Sequence, residues 1–233
     1  MSGHSKWSQI KHKKAIADAK KGAAFGKIAR AIALAARDNP DPSSNLRLKA
    51  EIEKARAVNM PSDNIERAIK RVSDKSAAAL TEIQLELIGP GSAAIIVTAI
   101  TDNSNRTLNE LKQIATRAGA RIAGQGAVSW MFKKTGVIRL HGQADEALQL
   151  AAIDAGADDV RTEDDTTTVY TAPETMAAVR DALDDAVASA DVELVPSNGA
   201  PIPDTAQQHQ LESLLEALDG QDDVQGVYTN AEY

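Results

Sequence analysis

The hydrophobic periodicity of the chain changes near Glu82, and this change limits the folds that the sequence can adopt. Before it, apolar residues such as Phe25, Ile28 and Ile32 recur at the spacing of an amphipathic helix. After it, short runs rich in β-branched residues predict strands. The chain therefore combines a helical N-terminal part with a longer part in which strands and helices alternate.

Residues 1–78 are predicted to form a helical domain. Its first helix should end at Asn39-Pro40-Asp41-Pro42, and its second should end before Asn59-Met60-Pro61. Ser62 is predicted to cap a third helix. The segment Ser73-Asp74-Lys75-Ser76 then joins this domain to the next one, and we expect it to be a flexible link.

Residues 79–134 and the tail, residues 200–233, are predicted to form one α/β domain. Two strands flank the turn Gly89-Pro90-Gly91, a helix follows them, and a short strand is expected at 128–132. The tail contributes one more helix and one more strand, which have no partner in the segment that precedes them.

Residues 135–199 show the element order β-α-β-β-α-β. This order is the split βαβ pattern of a ferredoxin-like unit, which we expect to be inserted in the α/β domain. The predicted fold class is therefore α+β and multi-domain, with an N-terminal helical domain followed by two α/β domains, one of them ferredoxin-like.

Charge is distributed unevenly between the two parts of the chain. The net charge is −7, yet residues 1–75 hold 17 Lys+Arg against 8 Asp+Glu. The remaining residues hold 9 Lys+Arg against 25 Asp+Glu. An acidic body repels nucleic acid, so that the basic end is the expected contact surface.

The strongest candidate for a binding site is a basic N-terminal arm, from Gly3 to Arg30. Two ladders of lysines with a spacing of seven residues would form one stripe on a helix, and such a stripe suits a phosphate backbone. Trp7 and His12 lie among the lysines and could stack on bases or sugars. The predicted nucleic-acid-binding residues are Lys6, Trp7, Lys11, His12, Lys13, Lys14, Lys20, Lys21, Lys27 and Arg30.

Metal and cofactor chemistry find no support in the sequence. There is no cysteine, which excludes disulfides and thiolate ligands, and the four histidines have no metal-ligand spacing. The Gly89-Pro90-Gly91 turn lacks the Gly-Lys-Ser/Thr ending of a phosphate-binding loop. We therefore expect no cofactor, no metal and no small-molecule substrate.

An enzyme is the main rival to a binding protein. Its best support is the polar cluster of Asp102, Asn103, Asn105 and Arg106, which could hold a phosphate or a water. The simpler interpretation is a turn from strand to helix, in which Asp and Asn side chains accept from free backbone N–H groups. We favour this second interpretation and predict that the protein is not an enzyme.

Five motifs resemble those of the YebC/PmpR family and follow one another along nearly the whole chain. They are GHSKWSQIKHKKAIADAKKG at the start, NMPSDNIERAIKR from Asn59, GPG with TDNSNRT from Gly89, GAVSWMFKKTGVI from Gly126, and DDVQGVYTN from Asp222. The resemblance implies a three-domain protein with one helical and two α/β domains. It also implies a DNA-binding transcriptional regulator of the cytoplasm, although related proteins, including a mitochondrial translational activator, are associated with the ribosome.

The predicted function is therefore a cytoplasmic, nucleic-acid-binding regulator of gene expression. The longest apolar run, residues 93–100, is too short to span a bilayer, and the N-terminus lacks the apolar core of a secretory signal. A ribosome-associated translation factor, whose basic arm contacts rRNA, is the alternative. A protein-binding adaptor is a third class, and the acidic α/β domains are candidates for contacts with other proteins.

Overall fold

The computed structural model describes Trp7 and residues 21–71, 78–163 and 165–233. The chain divides into two compact units, one of residues Met1–Ser129 with Asn198–Tyr233 and the other of residues Trp130–Ser197. The α+β class, with helices first and sheets after them, is confirmed. The division into three domains at 1–78, 79–134 with 200–233, and 135–199 stays a prediction. The proposed link, residues 73–76, lies outside the described residues.

The helical segment of the first unit contains three described helices. They are α1 (Lys21–Ala36), α2 (Leu46–Ala57) and α3 (Ser62–Lys70). Ile32, Leu48 and Ile65 are buried between them. Asn45 caps α2 by accepting from the backbone N–H of Leu48 at 3.0 Å. The predicted cap at Ser62 is wrong, because Ser62 is already the first helical residue and the preceding Pro61 makes no side-chain cap.

The main sheet of the first unit has four strands: β1 (Thr81–Ile88), β2 (Ala94–Thr101), β3 (Arg121–Ile122) and β9 (Val224–Thr229). Their order across the sheet is β3-β1-β2-β9, and neighbours are antiparallel. A 3-10 turn, Pro90–Ser92, joins β1 to β2, so the predicted hairpin is confirmed. β9, which belongs to the tail, pairs with β2.

Two helices pack on one face of this sheet, namely α4 (Ser104–Arg117) and α7 (Thr205–Asp219). Leu111 and Leu214 meet Ile95 in the core that they form. On the opposite face Ile100 of β2 packs against Leu34 of α1. A short parallel pair, β8 (Ala200–Pro201) with β10 (Ala231–Glu232), completes the unit.

The second unit has the predicted ferredoxin-like order of elements. They are β4 (Phe132–Leu140), α5 (Glu146–Asp154), β5 (Asp159–Glu163), β6 (Thr166–Thr171), α6 (Met176–Leu183) and β7 (Val187–Pro196). The strand order is β5-β6-β4-β7 with antiparallel neighbours. This sheet is the split βαβ arrangement, because β6 lies between β4 and β5.

The first and last few residues of the inserted unit pair with each other through backbone hydrogen bonds. The backbone N–H of Ser197 donates to the carbonyl oxygen of Met131 at 2.8 Å, and Phe132 pairs with Pro196 in the adjacent register. The two ends of the unit are thus neighbours.

The carboxylate of Glu86 determines the path of the chain before β4. Glu86 is 4% exposed and accepts from the backbone N–H groups of Gly126 at 2.8 Å, Val128 at 2.7 Å and Ser129 at 3.0 Å. Burial raises the pKa of Glu86, but these hydrogen bonds lower it by more, so that it lies below the usual 4.5. The strand predicted at 128–132 is therefore wrong: these donors bind Glu86, and the strand begins only at Phe132.

Membrane-spanning helices and metal-binding clusters are both absent from the residues that the structure describes. None of the helices in these ranges is long and apolar enough to cross a membrane. The same ranges contain no group of three or more His, Asp or Glu side chains placed to hold a metal ion.

Candidate nucleic-acid interface

Of the predicted nucleic-acid-binding residues of the basic arm, the structure describes the side chains of three: Trp7, Lys27 and Arg30. The backbone of Lys21 begins α1. The other predicted residues of the arm, which lie outside the described ranges, are Lys6, Lys11, His12, Lys13, Lys14 and Lys20.

Lys27 contacts the last residue of α7, and Arg30 contacts the loop that connects α7 to β9. The ammonium group of Lys27 donates to the carbonyl oxygen of Asp219, the last residue of α7, at 2.5 Å. A cation at this position is favoured, because the carbonyl end of a helix carries partial negative charge. Arg30 donates to the carbonyl oxygen of Asp222 at 2.9 Å and lies 3.3 Å from the carboxylate of Asp223. These two cations therefore bind α1 to the body of its own unit.

Asp223 is the centre of this contact. Its side chain is 4% exposed, and it accepts from the hydroxyl of Thr107 at 2.6 Å and from Arg106 at 3.1 Å. Burial is the largest single influence on the pKa of Asp223, and it raises that pKa. Several smaller influences together outweigh it and lower the pKa: hydrogen bonds from Thr107, Arg106 and Thr101, and the charge of Arg30. The group is therefore held as a carboxylate.

The polar cluster that supported an enzyme has a structural role here. The side chain of Asn103 caps α4 by accepting from the backbone N–H of Arg106 at 3.1 Å. The guanidinium of Arg106 is in turn shared between Asp102, at 3.0 Å, and Asp223. This geometry is the turn from strand to helix that the sequence favoured over a phosphate site.

Trp7 does not have the exposure that its predicted stacking role requires. Its side chain is 4% exposed, belongs to the core of the first unit, and donates from the indole nitrogen to the carbonyl oxygen of Val227 at 3.3 Å. A ring buried in this way cannot stack on a base. The prediction that Trp7 binds nucleic acid is therefore wrong for this structure.

Exposed or half-buried cations are found instead on α2, on α3 and at the residue that follows α3. Lys54 and Lys70 form ion pairs with acids of their own helices, Glu51 and Glu66, at 3.0 and 3.3 Å, and Arg47 pairs with Glu82 at 3.3 Å. Four further cations are exposed and have no ion-pair partner among the described residues: Lys49, Arg56, Arg67 and Arg71. Nothing in the spacing of these four cations along the sequence distinguishes them from the paired ones.

Comparison with known proteins gives a consistent result along the chain. Residues 5–75 match the model described as the TACO1/YebC protein N-terminal domain, and residues 80–231 match the model of the TACO1/YebC second and third domain. These matches confirm the resemblance that the five motifs indicated.

Individual relatives agree with the family models. A "Probable transcriptional regulatory protein" of Moorella thermoacetica is 45% identical over 241 residues, which cover 100% of this chain and 96% of that protein. A protein of Lactobacillus acidophilus with the same description is 44% identical over 239 residues, with 99% and 98% covered.

A solved structure is similar over nearly the whole chain. The crystal structure of a conserved hypothetical protein from Aquifex aeolicus has a TM-score of 0.90 and 37% sequence identity, and the match covers 98% of this chain and 97% of that one. Sequence, domain models and fold thus agree, and the chain belongs to the TACO1/YebC family.

Proposed function

We propose that this protein is a non-enzymatic, cytoplasmic regulator of gene expression that binds nucleic acid through its N-terminal basic region. The observation that carries the proposal is the separation of charge, with 17 Lys+Arg against 8 Asp+Glu in residues 1–75 of a chain whose net charge is −7. A concentration of cations at one end suits a polyanion, because each neutralised phosphate releases counterions.

The exposed cations of the helical segment support this proposal from the described residues. Lys49 and Arg56 on α2, Arg67 on α3 and Arg71 just after it face solvent. Lys27 and Arg30 contribute differently, since their contacts with residues 219–223 fix α1 on the first unit. We propose that Arg56, Arg67 and Arg71 contact phosphates together with the lysines of the arm.

The choice of DNA as the ligand rests on the names of the relatives, which are described as probable transcriptional regulatory proteins. A transcriptional regulator should bind one duplex at least about 10³-fold more tightly than random duplex at the same salt concentration. A ribosome-associated factor should instead co-sediment with ribosomes at physiological salt. These two results distinguish the proposed function from its alternative.

The test compares three variants with the wild type by fluorescence anisotropy over a series of salt concentrations. The arm variant is Lys13→Glu, Lys14→Glu, Lys20→Glu, Lys21→Glu. The helix variant is Arg56→Gln, Arg67→Gln, Arg71→Gln. The control removes the same charge as the helix variant from exposed residues outside residues 1–75, by Lys112→Gln, Arg117→Gln, Arg121→Gln.

With about six phosphates neutralised, the logarithm of wild-type affinity should fall with the logarithm of salt concentration at a slope of about −5. The arm variant should lose most of its affinity. The helix variant should have a shallower slope, by about 0.9 for each phosphate that it no longer neutralises. The control should keep the wild-type slope. If the wild type bound no nucleic acid, or the control lost as much affinity as the helix variant, the proposal would be wrong.

A further inference from the structure

Trp130 is exposed to solvent, although large aromatic side chains are usually buried. It lies in the 3-10 turn Ser129–Met131, directly before β4, and is 71% exposed. The chain has only two tryptophans, and the other, Trp7, belongs to the core of the first unit. The motif GAVSWMFKKTGVI, in which Trp130 stands, has no role in the function proposed above.

Two exposed lysines follow Trp130 at the start of β4, Lys133 and Lys134. They are the only lysines of residues 130–197, a segment with 5 Lys+Arg against 14 Asp+Glu. The three arginines of this segment all form ion pairs: Arg139 with Glu193 at 2.7 Å, Arg161 with Asp159 at 2.7 Å, and Arg180 with Asp181 at 2.8 Å. Neither lysine has an ion-pair partner among the described residues.

The strand that carries these lysines extends beyond the rest of its sheet. β6 pairs with Gly136–Arg139 of β4, whereas β7 pairs with the whole of β4 from Phe132. The first residues of β4 therefore form a two-stranded ribbon with β7. Opposite the lysines the ribbon has the uncharged residues Val195 and Leu194, followed by Pro196. The positive charge at this end of the unit is thus not neutralised by an acid across the ribbon.

An exposed indole that precedes two exposed lysines by three and four residues matches the chemistry of single-stranded nucleic acid. An unpaired base can stack on an aromatic ring, whereas the bases of a duplex already stack on each other. Successive residues of a strand point to opposite faces, so Lys133 and Lys134 present cations on both sides of the ribbon. Phosphates on either side of a stacked base can then each meet an ammonium group.

We infer that Trp130, Lys133 and Lys134 form a second nucleic-acid contact, which binds an unpaired nucleotide by stacking on the indole and by pairing its flanking phosphates with the lysines. This inference rests on the proposed function, and it adds a ligand class to it: DNA or RNA with unpaired nucleotides. The arm and the helical segment supply affinity for the backbone, and this contact selects single strands.

The test uses the full chain and titrates it with oligo-dT, oligo-rU and a DNA duplex, while tryptophan emission and anisotropy are recorded. Stacking should quench the emission of Trp130 with at least one of the single strands and not with the duplex. Trp130→Leu should abolish the quenching and weaken single-strand binding about tenfold, while Trp130→Phe keeps most of the affinity. Lys133→Gln, Lys134→Gln should make the salt slope shallower by about 1.4.

The matched controls are Leu150→Ala, which removes an exposed apolar side chain of the same unit, and Lys112→Gln, Arg117→Gln, which removes two exposed charges elsewhere. Neither should change the affinity for single strands. If Trp130→Leu bound single strands as tightly as the wild type, or if duplex affinity fell equally, this contact would be refuted while the proposed function stood. If the wild type bound no nucleic acid at all, both would be refuted.

Discussion

Arg30 lies 3.3 Å from the carboxylate of Asp223, and this ion pair joins the first described helix to the loop before the last long strand. The sequence predicted Arg30 as a phosphate ligand, but its partner in the structure is a buried acid of its own chain. Asp223 also accepts from Thr107 and Arg106, so one carboxylate connects α1, α4 and β9. The contact is therefore a structural element of the first unit.

Asp223→Asn is expected to lower the free energy of unfolding by about 2 kcal/mol at pH 7, because the amide replaces a charge that Arg30 and Arg106 bind. This value is below that for a fully buried pair, since Arg106 is half exposed. Asp222→Asn is the control, because the contact of Asp222 with Arg30 uses only its backbone carbonyl. Urea denaturation of both variants measures the difference, and equal stabilities would contradict the assigned role.

The effect of Asp223→Asn should depend on pH. The pKa of Asp223 is lowered in the folded state, so its carboxylate stabilises the protein at pH values above the ordinary 3.8. This contribution is lost as the pH falls through the lowered value. The difference between the wild type and the variant should thus be constant from pH 7 to about pH 4 and should shrink below it.

Glu86→Gln is expected to lower the free energy of unfolding by about 3 kcal/mol, because the new amide nitrogen would face backbone N–H donors that now bind a carboxylate oxygen. Glu82→Gln on the same strand is the control, since Glu82 is exposed and should change the stability by less than about 0.5 kcal/mol. The pKa of Glu86 is also lowered, so the difference should shrink only as the pH falls below 4.5. A wild-type thermal midpoint in Glu86→Gln would contradict this prediction.

Arg30→Gln and Arg67→Gln should separate structural from ligand-binding arginines. Both remove one charge from the helical segment, yet Arg30 contacts the loop at Asp222 and Asp223, whereas Arg67 is exposed. Arg30→Gln should lower stability by about 1 kcal/mol. Arg67→Gln should leave the melting temperature unchanged and reduce the salt slope of nucleic-acid binding by about 0.9. Calorimetry and anisotropy on the same samples test this pair, and the reverse pattern would show that the two roles are assigned wrongly.

Gly136→Ala should destabilise the second unit by about 1 to 3 kcal/mol. A Cβ atom at this position would lie 2.8 Å from a methyl carbon of Thr171 and 2.9 Å from Cβ of Met176, which is closer than packed carbons approach. At Gly124, by contrast, a Cβ atom meets nothing within 4 Å, so Gly124→Ala is the control. Hydrogen exchange of β4 and β6 amides should report the difference, and unchanged protection in Gly136→Ala would be inconsistent with the packing.

The sequence predicted those elements that are encoded by neighbouring residues, or that follow one another in the order of a known fold. The ferredoxin-like order of residues 135–199 could be predicted because the strands alternate with helices in a known arrangement. The sequence also indicated that the helix and strand of the tail lack a partner in residues 135–199, and the structure pairs that strand, β9, with β2. Elements of this kind depend on periodicity and turn residues, which are read from neighbouring positions.

Features that depend on partners far away in sequence were missed. Nothing near Val128 indicates that Glu86 of β1, 42 residues earlier, binds its backbone N–H and prevents a strand there. The burial of Trp7 likewise depends on β9, more than 200 residues away. Arg30 and Arg67 look alike in sequence, and only the position of Asp223 distinguishes their roles.

The hydrogen bond between Ser197 and Met131 has a consequence for the modularity of the protein. Because the inserted unit begins and ends at one backbone contact, its two junctions are close enough to be bridged by a few glycine and serine residues. Replacing residues 130–197 by such a bridge should leave the parent unit able to fold, as an ordinary shortening of a loop does. By the same argument, we expect the excised segment to tolerate insertion into a surface loop of another protein. Gain, loss or exchange of this whole unit is therefore an evolutionary step that the architecture permits in a single event.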